Sequence, residues 1–151
     1  MALVKARITV PYAVSAAEAL WYDLSRWPGF VDGFGAVVST DGDWPLVGAR
    51  VIWDSSPGGR GRVVEQVQSY EVRTGQTMRV EDEKMTGLQS VAFVPEDSGA
   101  VVTVALEYAL KSPNLLLRVT DLLFIRRALR DSMYRSLRRY ALELRDDNEP
   151  L

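Results

Sequence analysis

Two residue types are missing from this 151-residue chain: it has no cysteine and no histidine. Without cysteine there is no disulfide framework, no thiolate nucleophile and no Cys-ligated metal site. Without histidine the commonest general base near neutral pH and the commonest zinc ligand are gone. Ser-His-Asp and Cys-His catalysis are therefore closed to the chain acting alone. Acid–base chemistry is left to Asp, Glu, Tyr, Lys, groups polarised by Arg, or water. No Gly-rich phosphate loop opens a helix, so neither a metal nor another cofactor is expected. The most apolar segment, Leu115 to Ile125, is too short to span a bilayer and contains Arg118 and Asp121. The chain opens Met1-Ala-Leu-Val-Lys-Ala-Arg7 with neither an apolar signal region nor a cleavage pattern. A cytoplasmic location is the expectation.

What is present fits one domain, residues 1–151, long enough to bury roughly 70% of the surface of its unfolded form without a staple. The formal charge of -2 is unevenly spread: residues 1–112 carry -4, residues 113–145 carry +5, and residues 146–151 carry -3. That last acidic stretch reads as a disordered tail. The basic stretch reads as a solvated Arg face near acidic neighbours. It has no basic run with interleaved aromatics and no nucleic-acid motif, so no nucleic-acid partner is expected.

Residues 3–10 alternate as a strand and end at Pro11. Ser15-Ala-Ala-Glu18 has the form of a capping box, opening a helix to about Ser25 that offers Ala19, Leu20, Trp21 and Leu24 for burial. Pro28 biases Trp27 away from helical geometry and Gly29 permits a turn, so a short second helix or a tight bend follows. Strands are expected near 35–41, 48–54, 61–72, 76–84, 87–95 and 100–110. Between them stand Asp41-Gly42-Asp43, Pro57-Gly58-Gly59, Thr74-Gly75, Thr86-Gly87 and Asp97-Ser98-Gly99, all of turn composition. Such short connections join antiparallel hairpins. Ser112-Pro113 suits a helix start, and Leu115, Val119, Leu122, Leu129, Met133, Leu137, Tyr140 and Leu144 then describe one amphipathic helix of about eight turns.

A strand, two short helices, six more strands and a long closing helix make a specific order. Together with "ITVPYAVSAAEALWYDLSRWPGF" (8–30), "GARV" (48–51), "GRVVEQVQSYEV" (61–72) and "GAVVTVALEYAL" (99–110), it resembles the START/Bet v 1-like (SRPBCC) superfamily, and within it the polyketide cyclase/dehydrase-type proteins. The resemblance implies an α+β helix-grip fold, with a curved antiparallel sheet of about seven strands wrapped on the C-terminal helix. It also implies a hydrophobic cavity between the two that takes lipids, sterols, polyketides or aromatic molecules, with cyclisation or dehydration in some members. The superfamily shares no fixed catalytic set, so no role transfers residue by residue.

Candidates for that cavity come from the residues themselves. On a helical wheel Leu129, Met133 and Tyr140 fall within about 20° of Leu122, and Arg126 lies at about 40°. Arg126 is a candidate cation for a ligand carboxylate or enolate oxygen; the alternatives are an ion pair to Glu65 or Asp82, or an exit to solvent. Glu65 shares a strand face with Val63 and Val67, and Asp82 shares one with Met78 and Val80. An inward carboxylate is either paired or neutral with a raised pKa, the latter suited to acid–base work. Trp53, on the Val51 face, and Tyr108, with Val102, Val104 and Leu106, are candidate lining or plain core. Trp27, Phe30 and Phe34, on the broken helix, are a lid or mouth, or core packing.

The ligand-binding candidates are thus Trp27, Phe30, Phe34, Trp53, Met78, Tyr108, Leu122, Arg126, Leu129 and Met133. Arg126, Glu65, Asp82 and Tyr108 are candidates for catalysis. Binding or carrying a hydrophobic small molecule ranks first, and a cyclase or dehydratase using the same pocket second. A protein-interaction module ranks third: the segment Leu115–Ile125 is apolar all round, as a homodimer or partner contact would require.

Overall fold

Six of the seven strands follow one another as hairpins, because each alternating run is closed by a turn too short for a crossover. The computed structural model describes residues 2–111, 114–120 and 124–149. Strand β1 (Ala2–Val10) leads to helix α1 (Val14–Trp21), a 3-10 turn (Leu24–Arg26) and helix α2 (Trp27–Phe30). Strands β2 (Phe34–Asp41), β3 (Arg50–Ser55), β4 (Arg62–Glu71), β5 (Gly75–Glu81), β6 (Met85–Glu96) and β7 (Gly99–Leu110) come next, then helices α3 (Leu115–Thr120) and α4 (Arg126–Asn148). The sheet order is β1-β7-β6-β5-β4-β3-β2, and every neighbouring pair is antiparallel. This is the helix-grip architecture that the resemblance implies.

Register shifts interrupt β2–β3 twice and β4–β5 once, at Val67/Ser69. Bulges of this kind bend a strand and raise its twist, which curves the sheet toward α4. The inner face carries Val51, Trp53, Val63, Glu65, Val67, Met78, Val80, Val102, Val104, Leu106 and Tyr108, all buried. The helix contributes Leu137, Tyr140 and Leu144 to the same interior. Each such apolar side chain removed from water contributes roughly 1.5–3 kcal/mol. Tyr140 also donates its hydroxyl to the Ala17 carbonyl at 2.5 Å and packs edge-on against Trp21 and Phe30.

Several local expectations are corrected. Helix α1 starts at Val14 with Ala13 as its cap and no side-chain capping bond, so Ser15–Glu18 is not a capping box. Glu18 is buried and takes both the backbone N–H of Arg73, at 2.8 Å, and its guanidinium. A cation across the hairpin tip outcompetes the helix's own amide. Ala19 is exposed, and Ala17 holds the buried position. The helix ends at Trp21, and Asp23 caps the turn that follows by accepting from Ser25 N at 3.0 Å. Trp27 is helical despite Pro28, as the first residue of α2. Its indole N–H donates to the Trp21 carbonyl at 2.9 Å.

Thr86-Gly87 lies within β6 rather than in a turn; the chain reverses at Asp82–Lys84 instead. Gly87 is required there by close approach, since a Cβ would sit 2.2 Å from the Glu107 carbonyl. Asp146, Asp147 and Asn148, expected in a disordered tail, form the last turn of α4, where Arg26 pairs with Asp147 and with Glu143. The expected closing helix is described as α3 and α4 on either side of residues 121–123; those residues, Leu122 among them, and Ser112 and Pro113 lie outside the described residues.

Candidate functional site

A cavity of about 110 Å³ opens between the inner face of the sheet and α4. Its sheet wall is Trp53 of β3, Glu65 of β4, Met78 of β5, Gln89 of β6, and Val104 and Leu106 of β7. Helix α4 supplies Leu129, Ser132, Met133, Ser136 and Leu137, while Trp21, Trp27, Phe30, Val31 and Asp32 close one end and Arg60 reaches in from the β3–β4 turn. Strand parity accounts for the sheet wall. Residues two apart on one strand, and their diagonal neighbours on the next, present side chains to the same side.

Six predicted lining residues stand on this wall: Trp27, Phe30, Trp53, Met78, Leu129 and Met133. Phe34 does not. It stacks on Trp53, with ring centroids 5.1 Å apart, and meets Trp27 edge-on, so it backs the wall from behind. Tyr108 is also away from the cavity, in a second apolar cluster with Val4, Met85 and Leu106. Arg126 is half-buried at the start of α4 and is not on the wall; its Nε is buried without a hydrogen-bond partner among the described residues. The alternative of an ion pair from Arg126 to Asp82 or Glu65 is not what is seen: Arg60 pairs with Asp82, and the Trp53 indole donates to Glu65.

Glu65 and Asp82 do both face inward, with opposite outcomes. Asp82 is a structural acceptor: one oxygen takes the backbone N–H groups of Lys84 and Met85 at 2.8 and 2.9 Å, and the other takes Arg60 Nε at 2.8 Å. It sits behind the wall and holds Arg60 in it. Glu65, 3% exposed, is on the wall itself. Its Oε1 accepts the Trp53 indole N–H at 3.0 Å, and its Oε2 has no partner among the described residues. Burial pushes this carboxyl above the usual glutamate range, outweighing the Trp53 hydrogen bond and the Arg60 charge, which act the other way. The Nη2 of Arg60 is likewise buried without a partner among the described residues.

At the rim, Asp32 joins the connection after α2 to the helix. Its N–H donates to Ser136 Oγ at 2.8 Å, and its carboxylate accepts from Ser132 at 2.7 Å, Arg135 at 3.0 Å and Arg139 at 3.1 Å. Partial burial raises the Asp32 pKa, but the hydrogen bonds from Arg135 and Ser132 and the arginine charges outweigh it and hold the carboxyl below its ordinary range.

Arg60 and Asp32 are charged wall residues that periodicity misses, since both lie in connections, where no repeat assigns a face. The signal for Arg60 was its setting, Gly59-Arg60-Gly61, in a turn that needs Gly61 at φ +74°. The apolar end of α3, expected to meet a partner, exposes Leu115, Leu116 and Val119, with Phe124 exposed just beyond. Among the described residues no group of three or more Asp or Glu side chains is placed to hold a metal, and no helix is long and apolar enough to cross a membrane.

Residues 1–145 match the protein family described as polyketide cyclase/dehydrase and lipid transport. No curated protein matches the chain in sequence. Among solved structures, a protein from Thermus thermophilus is similar at a TM-score of 0.76 and 18% identity, over 95% of this chain and 97% of that one. A truncated norcoclaurine synthase from Thalictrum flavum is similar at a TM-score of 0.69 and 13% identity, over 93% and 91%. A Rhizobium leguminosarum protein is similar at 0.70 and 12%, over 95% and 93%. At such identities the likeness is one of fold.

Proposed function

Since the chain belongs to the polyketide cyclase/dehydrase and lipid transport family, we propose that it binds a hydrophobic small molecule, a lipid, polyketide or aromatic compound, in the cavity between the sheet and α4. One observation carries this reading: apolar and aromatic side chains from three strands and three helices surround unfilled space. Well-packed interiors leave few voids larger than a water molecule. About 110 Å³ is room for on the order of ten non-hydrogen atoms. The lack of His and Cys favours a carrier.

Native mass spectrometry of protein purified gently from its own host is the test. A retained small apolar mass, lost when Met133→Trp fills the cavity, supports the reading. No adduct, and no uptake of any apolar probe by the purified protein, rejects it.

A second reading, a cyclase or dehydratase in the same pocket, is favoured by Glu65. A carboxyl whose pKa is raised by burial, with a bare oxygen on an apolar wall, has the form of a general acid. Turnover of the retained ligand, abolished by Glu65→Gln with binding kept, distinguishes enzyme from carrier. The exposed end of α3 supports the interaction reading only third; a mass that rises with concentration and falls back with Leu116→Glu would promote it.

A further inference from the structure

Resting on the reading of the cavity as a ligand site, we propose that its polar corner selects apolar or aromatic molecules carrying a neutral carbonyl oxygen (ketone, aldehyde or ester) over a carboxylate or a hydrocarbon of the same size. Two bare polar atoms make this corner, Arg60 Nη2 and Glu65 Oε2, each on a residue of the same cavity wall. Arg60 is held by Asp82 through Nε, at 2.8 Å, which leaves Nη2 as a positioned donor. Glu65 Oε1 already accepts from Trp53, so the proton that burial favours on this carboxyl falls on Oε2. Both atoms therefore donate, and a buried donor without an acceptor is costly to leave unmade.

The charge balance decides which acceptor fits. Asp82 and Arg60 cancel, so with the proton on Glu65 the corner has no net charge. A carbonyl oxygen, with two lone pairs, takes both donors and leaves it so. A carboxylate adds an uncompensated negative charge to an enclosure walled by Trp53, Met78 and Leu106. A hydrocarbon leaves both donors bare.

The test uses acetophenone, cumene and benzoate, which have equal numbers of non-hydrogen atoms. Each is titrated into the full chain at about pH 6, where benzoate is ionised, and followed by the Trp53 indole N–H resonance. Acetophenone is expected to bind at least about tenfold tighter than either of the others, equivalent to about 1.4 kcal/mol. Glu65→Gln keeps that preference, because its amide both accepts from Trp53 and donates to the ligand. Arg60→Met and Glu65→Met bring acetophenone down to the level of cumene in the same variant, and saturable cumene binding in each reports an intact cavity.

Should Glu65→Met fail to fold, by circular dichroism, the half-buried Arg60→Met carries the comparison. Equal binding of cumene and acetophenone to the wild type overturns the carbonyl inference and leaves the apolar cavity standing. Tightest binding of benzoate overturns it in favour of an anionic ligand. No saturable response to any of the three overturns both readings.

Discussion

The indole of Trp53 and the carboxyl of Glu65 meet diagonally across the β3–β4 pair, Nε1 to Oε1 at 3.0 Å, with Trp53 registered against Val63 and Glu65 against Val51. The bond satisfies one carboxyl oxygen of a fully enclosed side chain and orients the other toward the cavity. Trp53→Phe keeps most of the ring's apolar burial but removes the donor. We expect a loss of about 1–3 kcal/mol of stability, read as a lower urea midpoint with unchanged slope, and a further rise in the Glu65 pKa.

Glu65 also sets a pH dependence. Its folded-state pKa lies above the ordinary glutamate value, so the folded state keeps its proton where the unfolded chain has released it. The contribution of this group is fully present below the unfolded pKa of about 4.3. It is lost as pH rises through the raised folded value. The charged groups near it are Arg60 and, behind Arg60, Asp82. Urea midpoints of the wild type minus those of Glu65→Gln, taken from about pH 4 to 8, are expected to fall with rising pH. A flat difference would mean that folding leaves the carboxyl's pKa where it is in the unfolded chain.

Asp32 links the cavity rim to α4 through Ser132, Arg135 and Arg139. Its arginine partners are nearly half exposed, so each pair is screened and modest. Asp32→Ala is expected to cost about 1 kcal/mol at low ionic strength and less in high salt. Hydrogen exchange should quicken at the backbone amide of residue 32, which donates to Ser136 in the wild type. An unchanged exchange rate would show that the rim is held by packing alone.

Tyr140 tests the core independently of the cavity. Its hydroxyl bonds the Ala17 carbonyl and its ring lies 5.3 Å from Trp21 and 5.4 Å from Phe30. Tyr140→Phe should cost about 1 kcal/mol through the lost hydrogen bond. Tyr140→Ala should cost about 3–5 kcal/mol through the void. Equal midpoints for the two variants would place the whole contribution in the hydrogen bond.

The sequence by itself determined the chemistry that is excluded, the hairpin order and the faces. Alternation placed Glu65, Trp53 and Met78 inward because a strand's period of two admits only two sides. Helical spacing brought Leu129, Met133, Leu137 and Tyr140 to one stripe of α4 in the same way. What only the tertiary structure decided is which distant group stands opposite each of these. Asp82 is paired by Arg60 from a loop, not by Arg126 from the helix. Glu18 leaves its own helix end for Arg73, and Phe34 lies behind Trp53 while Trp21 lies in front. Local periodicity fixes a direction from one element's axis. Partners across a sheet, and the space left between them, depend on curvature and register, which come from bulges and turns far along the chain.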